Sequence, residues 1–104
     1  MADAVLIDFK GETMTQDLYD QVNARVNPPG NPPEGLIFHS AGPSPDGGFR
    51  VVDVWESRDT FDRFFGSSVS GVVAELVGEE ALAQAPQPEI TSWPVHNYTV
   101  VSGT

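Results

Sequence analysis

The chain predicts an α+β fold: a four-stranded antiparallel sheet with two helices packed on one of its faces. Three observations carry this expectation. Segments with strand and helix character alternate in the order strand, helix, strand, strand, helix, strand. The apolar positions of the helical segments recur at helical spacing, and those of the strands at period two. The first three strands also carry apolar residues on both parities, for example Ile37 and Phe38, or Val51 and Val52.

The first strand is AVLIDF (4–9), rich in β-branched and aromatic residues. Val5, Ile7 and Phe9 share one face, and Ala4, Leu6 and Asp8 the other. Thr13 or Thr15 then caps a helix running to about Val26, and Thr13 with Gln16 has capping-box spacing. Leu18, Val22 and Val26 recur at i, i+4 and i+8 with Tyr19 beside them, which gives one apolar face. NPPGNPP (27–33) stops the helix, because a residue preceding proline is pushed out of the helical region.

LIFHSA (36–41) and FRVVDVW (49–55) are the second and third strands, joined through the hairpin loop GPSPDGG (42–48). Ser57 is the N-cap of the next helix, which presents Phe61, Phe64, Phe65, Val69, Val72, Val73 and Leu76. Gly66 and Gly71 are poor helix formers and predict a kink or split there. GEEALAQAPQPE (78–89) is expected to be a loop with at most one helical turn, and ITSWPVHNYTVV (90–101) the last strand. Pro94 confines that strand to an edge or a bulge.

This order is the ferredoxin-like βαββαβ pattern. Right-handed crossovers put both helices on one face of the sheet and leave the other bare. Four strands of about six residues spaced ~4.8 Å apart expose an area on the order of 350 Å². An apolar area of that size marks an interface, so the sequence predicts a homodimer through the open sheet face, closing into a dimeric α/β barrel.

The 104 residues are expected to form one domain, 1–104. No apolar run approaches the ~20 residues of a membrane span, and MADAVLIDFKG lacks the basic n-region and small-residue cleavage site of a signal peptide, so none is expected. The expected location is cytoplasmic. Zero cysteines exclude disulfides, thiolate catalysis and cysteine-bound zinc. Fifteen acidic residues against five basic ones give a formal charge of -10, and Lys10, Arg25, Arg50, Arg58 and Arg63 form no run. A nucleic-acid partner is therefore not expected.

VVDVWESRDTFDRFF resembles the third-strand-to-second-helix segment of the dimeric α/β-barrel proteins, including the antibiotic biosynthesis monooxygenase-like group. GETMTQDLYDQV and the pattern HSAGP…GGFRVVDVWES…FDRFF…PVHN are similar to small stand-alone members of it. The resemblance spans nearly the whole chain. It implies a small-molecule enzyme, with cofactor-independent oxygenation of a phenolic or polyketide-like substrate as its sharpest form. A non-catalytic ligand-binding or interaction homodimer is the alternative. Haem-degrading relatives carry a helix tryptophan and a helix histidine where this chain has Phe64 and about Ala74, so no haem is expected. The oxygenase branch implies a pocket lined with tryptophan, asparagine and tyrosine, types supplied here by Trp55, Asn97, Tyr98 and Tyr19.

His39 and His96 are the candidate catalytic bases, and Tyr19, Trp55, Phe64, Asn97 and Tyr98 the candidate substrate-binding residues. An imidazole of ordinary pKa ~6.5 suits proton removal from a phenol at neutral pH. The competing reading makes His39 a buried neutral side chain hydrogen-bonded to a neighbour such as Asp53. Alternation puts His96 and Tyr98 on one face and Asn97 on the other unless Pro94 shifts the register. Asp8 and Asp53, on strands expected to be adjacent, read as partners of Lys10, Arg50 or a histidine. Two histidines at this separation form no metal-ligand set, and GPSPDGG is followed by no phosphate-binding helix and lysine. No cofactor and no metal are expected, and the expected ligand is small and apolar or aromatic.

Overall fold

The computed structural model describes residues 2–11 and 13–101. Four strands, β1 (Asp3–Phe9), β2 (Leu36–Pro43), β3 (Phe49–Trp55) and β4 (Glu89–Pro94), form one sheet in the order β2-β3-β1-β4. Every neighbouring pair is antiparallel. With helices crossing between β1 and β2 and between β3 and β4, this is the ferredoxin-like arrangement that the segment order predicts.

Helix α1 spans Gln16–Val26. Its N-cap is Thr15, whose Oγ1 accepts from the Leu18 backbone N–H at 3.1 Å. Thr13 is not the cap: its hydroxyl donates to the Lys10 carbonyl instead, at 2.9 Å, and closes the turn out of β1. Ser57 caps α2 (Arg58–Arg63), its Oγ accepting from Thr60 N–H at 3.1 Å. The helix then continues as a π segment, Phe64–Val69, and as α3, Ser70–Val77. The kink expected near Gly66 is thus a π turn, which holds an extra residue in the helix without ending it. Residues expected to be mostly loop form the six-residue α4, Glu79–Gln84.

Strand register sorts the side chains. On the helix-covered face lie Val5, Ile7 and Phe9 of β1 with Phe49, Val51 and Trp55 of β3, and Phe61 of α2 closes over them to complete the core. Trp55 and Phe61 are each 1% exposed and meet edge to face, 6.0 Å between centroids. Burying a side chain of this size contributes about 1.5–3 kcal/mol. The Ser44–Gly48 turn between β2 and β3 brings Gly48 against the Phe9 carbonyl, where a β-carbon would clash with backbone.

The opposite face carries no helix. Its residues line up in rows across the sheet: Phe38, Val54, Ala4 and Trp93; then Ser40, Val52, Leu6 and Thr91; then Gly42, Arg50, Asp8 and Glu89. The face therefore grades from aromatic and aliphatic at one end to charged at the other. Phe38 and Trp93 are 50% and 45% exposed. At the charged end Lys10 Nζ donates to Asp8 Oδ2 at 2.8 Å, and Arg50 Nε stands 3.6 Å from Asp8 Oδ1. These are the pairings expected for Asp8.

The last strand stops at Pro94 and does not run to Val101. Asp3, the first residue of β1, pairs with Pro94, and among the described residues one further backbone bond follows, Val95 N–H to Ala2 C=O at 2.9 Å. The neighbouring strand has run out, so the ladder ends with it.

Candidate active site

The side chains that converge come from three elements. His39 on β2 and Asp53 on β3 are direct cross-strand partners on the helix-covered face. His39 Nδ1 donates to Asp53 Oδ1 at 2.6 Å, and Trp55 Nε1–H, two residues along β3 on the same face, donates to Asp53 Oδ2 at 3.0 Å. Both carboxylate oxygens are thereby engaged. From above, Tyr19 of α1 places its hydroxyl on His39 Nε2. The four groups form one chain, Tyr19–His39–Asp53–Trp55.

The protonation pattern follows from the partners. Trp55 is only a donor and an ionised Asp53 only an acceptor, so the proton of neutral His39 resides on Nδ1. That leaves Nε2 as an acceptor, and the phenol of Tyr19 donates to it. Burial, with the Asp53 carboxylate nearby, pushes the Tyr19 hydroxyl above the usual tyrosine range, which keeps it protonated and able to donate. The Asp53 side chain is 5% exposed and that of His39 21%. An aspartate this deeply buried is tolerated because both of its oxygens are hydrogen-bonded.

Next to this chain lies an apolar cavity of about 60 Å³ between the sheet and α1, α2 and the π segment. His39, Asp53 and Trp55 meet it from the sheet, Tyr19 and Val22 from α1, and Phe61, Phe64 and Phe65 from the second helix. The Phe64 ring lies 5.1 Å from Trp55, and Tyr19 packs 5.2 Å from Phe49. A base backed by a carboxylate, at the edge of an apolar space, can take a proton from a weakly acidic hydroxyl or activated C–H. Asp53 then stabilises the imidazolium that forms.

Four of the seven sequence-derived candidates, His39, Tyr19, Trp55 and Phe64, line this cavity. The other three do not. His96, Asn97 and Tyr98 lie beyond the end of β4, are exposed, and line no part of it. Asp53, read from sequence as a partner of charge or histidine, is the link that joins His39 to Trp55. Val22 and Phe65, apolar helix positions in the sequence, line the cavity too, as does Met14 ahead of α1, which the sequence did not single out. Among the described residues, no group of three or more His, Cys, Asp or Glu side chains could hold a metal ion, and no helix is long and apolar enough to cross a membrane.

No family model matches the chain, and no curated protein matches it in sequence. Its fold has solved counterparts. Rv0793 from Mycobacterium tuberculosis is 16% identical and superposes with a TM-score of 0.65, over 96% of this chain and 100% of that one. A candidate antibiotic biosynthesis monooxygenase from Deinococcus radiodurans is 11% identical, with a TM-score of 0.53 over 98% of each chain. SnoaB from Streptomyces nogalater, a cofactor-independent oxygenase, is 16% identical, with a TM-score of 0.51 over 93% of each chain. At these identities the likeness is one of fold, and the fold is that of the antibiotic biosynthesis monooxygenase-like proteins, as the strand-to-helix resemblance implies.

Proposed function

We propose that this chain, on the fold it shares with the antibiotic biosynthesis monooxygenase-like proteins, is a homodimeric enzyme that oxygenates a small phenolic or polyketide-like molecule without a cofactor. The observation that supports the reading best is the Tyr19–His39–Asp53–Trp55 chain at the edge of an apolar cavity. The solved oxygenase of the same fold adds weight to the reaction class.

In this reading the substrate hydroxyl replaces the Tyr19 phenol at His39 Nε2. His39 takes the substrate proton, and Asp53 balances the charge of the imidazolium. The phenolate, electron-rich and held among Trp55, Phe61 and Phe64, gives one electron to dioxygen. The phenoxyl and superoxide combine at a ring carbon, and the proton from His39 completes a hydroperoxide. Loss of the hydrogen on that carbon, with cleavage of the O–O bond, releases water and leaves a quinone. One dioxygen is consumed: one of its atoms stays as the new carbonyl and the other leaves as water. The substrate supplies all the electrons. Tyr19, displaced from His39, is free to donate to the developing oxyanion.

The open sheet face is the dimer surface in this reading. Its aromatic row, Phe38, Val54, Ala4 and Trp93, would be covered by the same row of a second copy.

Metal-free protein incubated aerobically with anthrone is the test, read by oxygen uptake and quinone absorbance. Turnover that falls at least about 100-fold in His39→Ala supports the base role. Absence of oxygen uptake with anthrone bound overturns the enzymatic reading. It would favour a ligand-binding dimer, a reading that draws its own support from the occupancy of His39 Nε2 by Tyr19 and the small size of the cavity.

A further inference from the structure

The 60 Å³ cavity is too small for the molecule the chemistry implies. A single benzene ring needs a space on the order of 150 Å³. A second space adjoins it. A groove of about 270 Å³ runs between α1, α3, α4 and the segment 85–88. Phe9, Met14, Phe65 and Val69 line both spaces, so the cavity and the groove are two sides of one wall. The groove's own walls are apolar: Leu18 from α1, Val73 from α3 and Leu82 from α4.

The wall between them is built from parts that can move aside. Met14 is an unbranched, adaptable side chain and half-buried. Phe65 and Val69 sit on the π segment, whose backbone geometry is already irregular. The Phe65 carbonyl accepts from the Ser70 hydroxyl at 3.0 Å as well as from the Ser70 backbone N–H, so that turn has an alternative partner to hold it if the helix adjusts.

We propose that this groove is the tail subsite of the same ligand: an unbranched alkyl or acyl chain on the phenolic ring passes between Met14 and Phe65 and lies against Leu18, Val73 and Leu82. The proposal rests on the reading of His39 as the group that meets the ring hydroxyl. It defines the ligand as a long-chain phenol, with its polar head at Tyr19 and His39 and its chain directed away from the sheet. Continuity with the cavity selects this occupant, because no chain could enter the groove from His39 except past the residues that both spaces share.

The test is calorimetric binding of a para-alkylphenol series from ethyl to octyl. Affinity rises by up to about fourfold for each methylene buried. Ala83 is exposed and lines the groove but not the cavity. Ala83→Trp fills the groove from its outer wall and flattens the chain-length dependence. Tyr19→Phe, which uncovers His39 Nε2, raises the affinity of every member by one factor, His39→Ala lowers it by one factor, and both leave the slope unchanged. No chain-length dependence in the unmodified protein, or an unaltered slope in Ala83→Trp, overturns the tail subsite. A series that ignores Tyr19→Phe and His39→Ala while Ala83→Trp still flattens it overturns the placement of the head at His39, and with it the ligand as proposed.

Discussion

The Tyr19 hydroxyl donates to Nε2 of His39 while the two rings lie within 8° of parallel, 5.9 Å between centroids. The phenol thus covers the nitrogen that a substrate would need, and does so from a helix rather than from the sheet that holds His39. Removing it has opposite effects on the two functions it serves. Tyr19→Phe exposes Nε2 and eases binding of small phenols, but takes away the donor for the developing oxyanion. Single-turnover kinetics with anthrone should show tighter binding and a chemical step slowed by about 10–100-fold.

Asp53 fixes the imidazole tautomer. Asp53→Asn keeps the shape, but its amide cannot accept on both sides, so either His39 or Trp55 loses its acceptor. Removing a buried hydrogen bond to a charged group costs about 1.5–3 kcal/mol. Asp53→Asn should lower the unfolding free energy obtained from urea denaturation by that margin. The turnover rate falls further than stability alone explains, because the imidazolium is no longer stabilised.

The pH dependence of stability has a defined sign at Tyr19. The folded protein raises this phenol's pKa through burial, so the fold favours the neutral form. Stability that is present below the unfolded value of about 10 is lost as pH rises through the higher folded value. Thermal melts above pH 10 should decline more steeply in the unmodified protein than in Tyr19→Phe. In a Tyr98→Phe variant, which leaves one tyrosine, the rise in absorbance at 295 nm should come above pH 10.

Gly48 lies where a β-carbon would meet the Phe9 carbonyl. Gly48→Ala should destabilise by about 1–3 kcal/mol, the usual range for forced overpacking. Gly47, one residue earlier, has open space around it. Its strain comes instead from φ +100°, so Gly47→Ala is penalised by backbone conformation alone. Chemical denaturation of the two variants separates these costs.

The open sheet face can be tested through its aromatic row. Phe38→Asp with Trp93→Asp puts two charges on exposed positions and leaves the helix-covered core untouched. Light scattering should report a dimer for the unmodified protein and a single chain for the double variant, with secondary structure retained by circular dichroism.

Most of the fold is legible in residue patterning, because strand alternation and helix spacing respond to burial alone. Thr15 and Ser57 are ordinary cap residues, and the Pro-rich stop at 27–33 ends α1 within a residue of its expected end. The site was less legible. Tyr19, His39, Trp55 and Phe64 carry suitable chemistry, but their convergence depends on cross-strand register, which a single chain of letters does not specify. A register shift between Leu36 and Phe38 puts Leu36 opposite Trp55 on the same face as His39, against simple alternation. His96, Asn97 and Tyr98 looked equally suitable by composition. The structure leaves them past the end of β4 at Pro94, which pairs with Asp3 at the start of β1, and away from the cavity.

The π turn at Phe64–Val69 holds one residue more than a regular helix would. Deleting a single residue there would restore the ordinary spiral while the turns before and after it keep their faces. The side chains within the turn, Phe64, Phe65 and Val69 among them, would be re-aimed at the cavity they line. A descendant of this protein could thus exchange one cavity shape for another through the loss of one codon, with the sheet below left as it is.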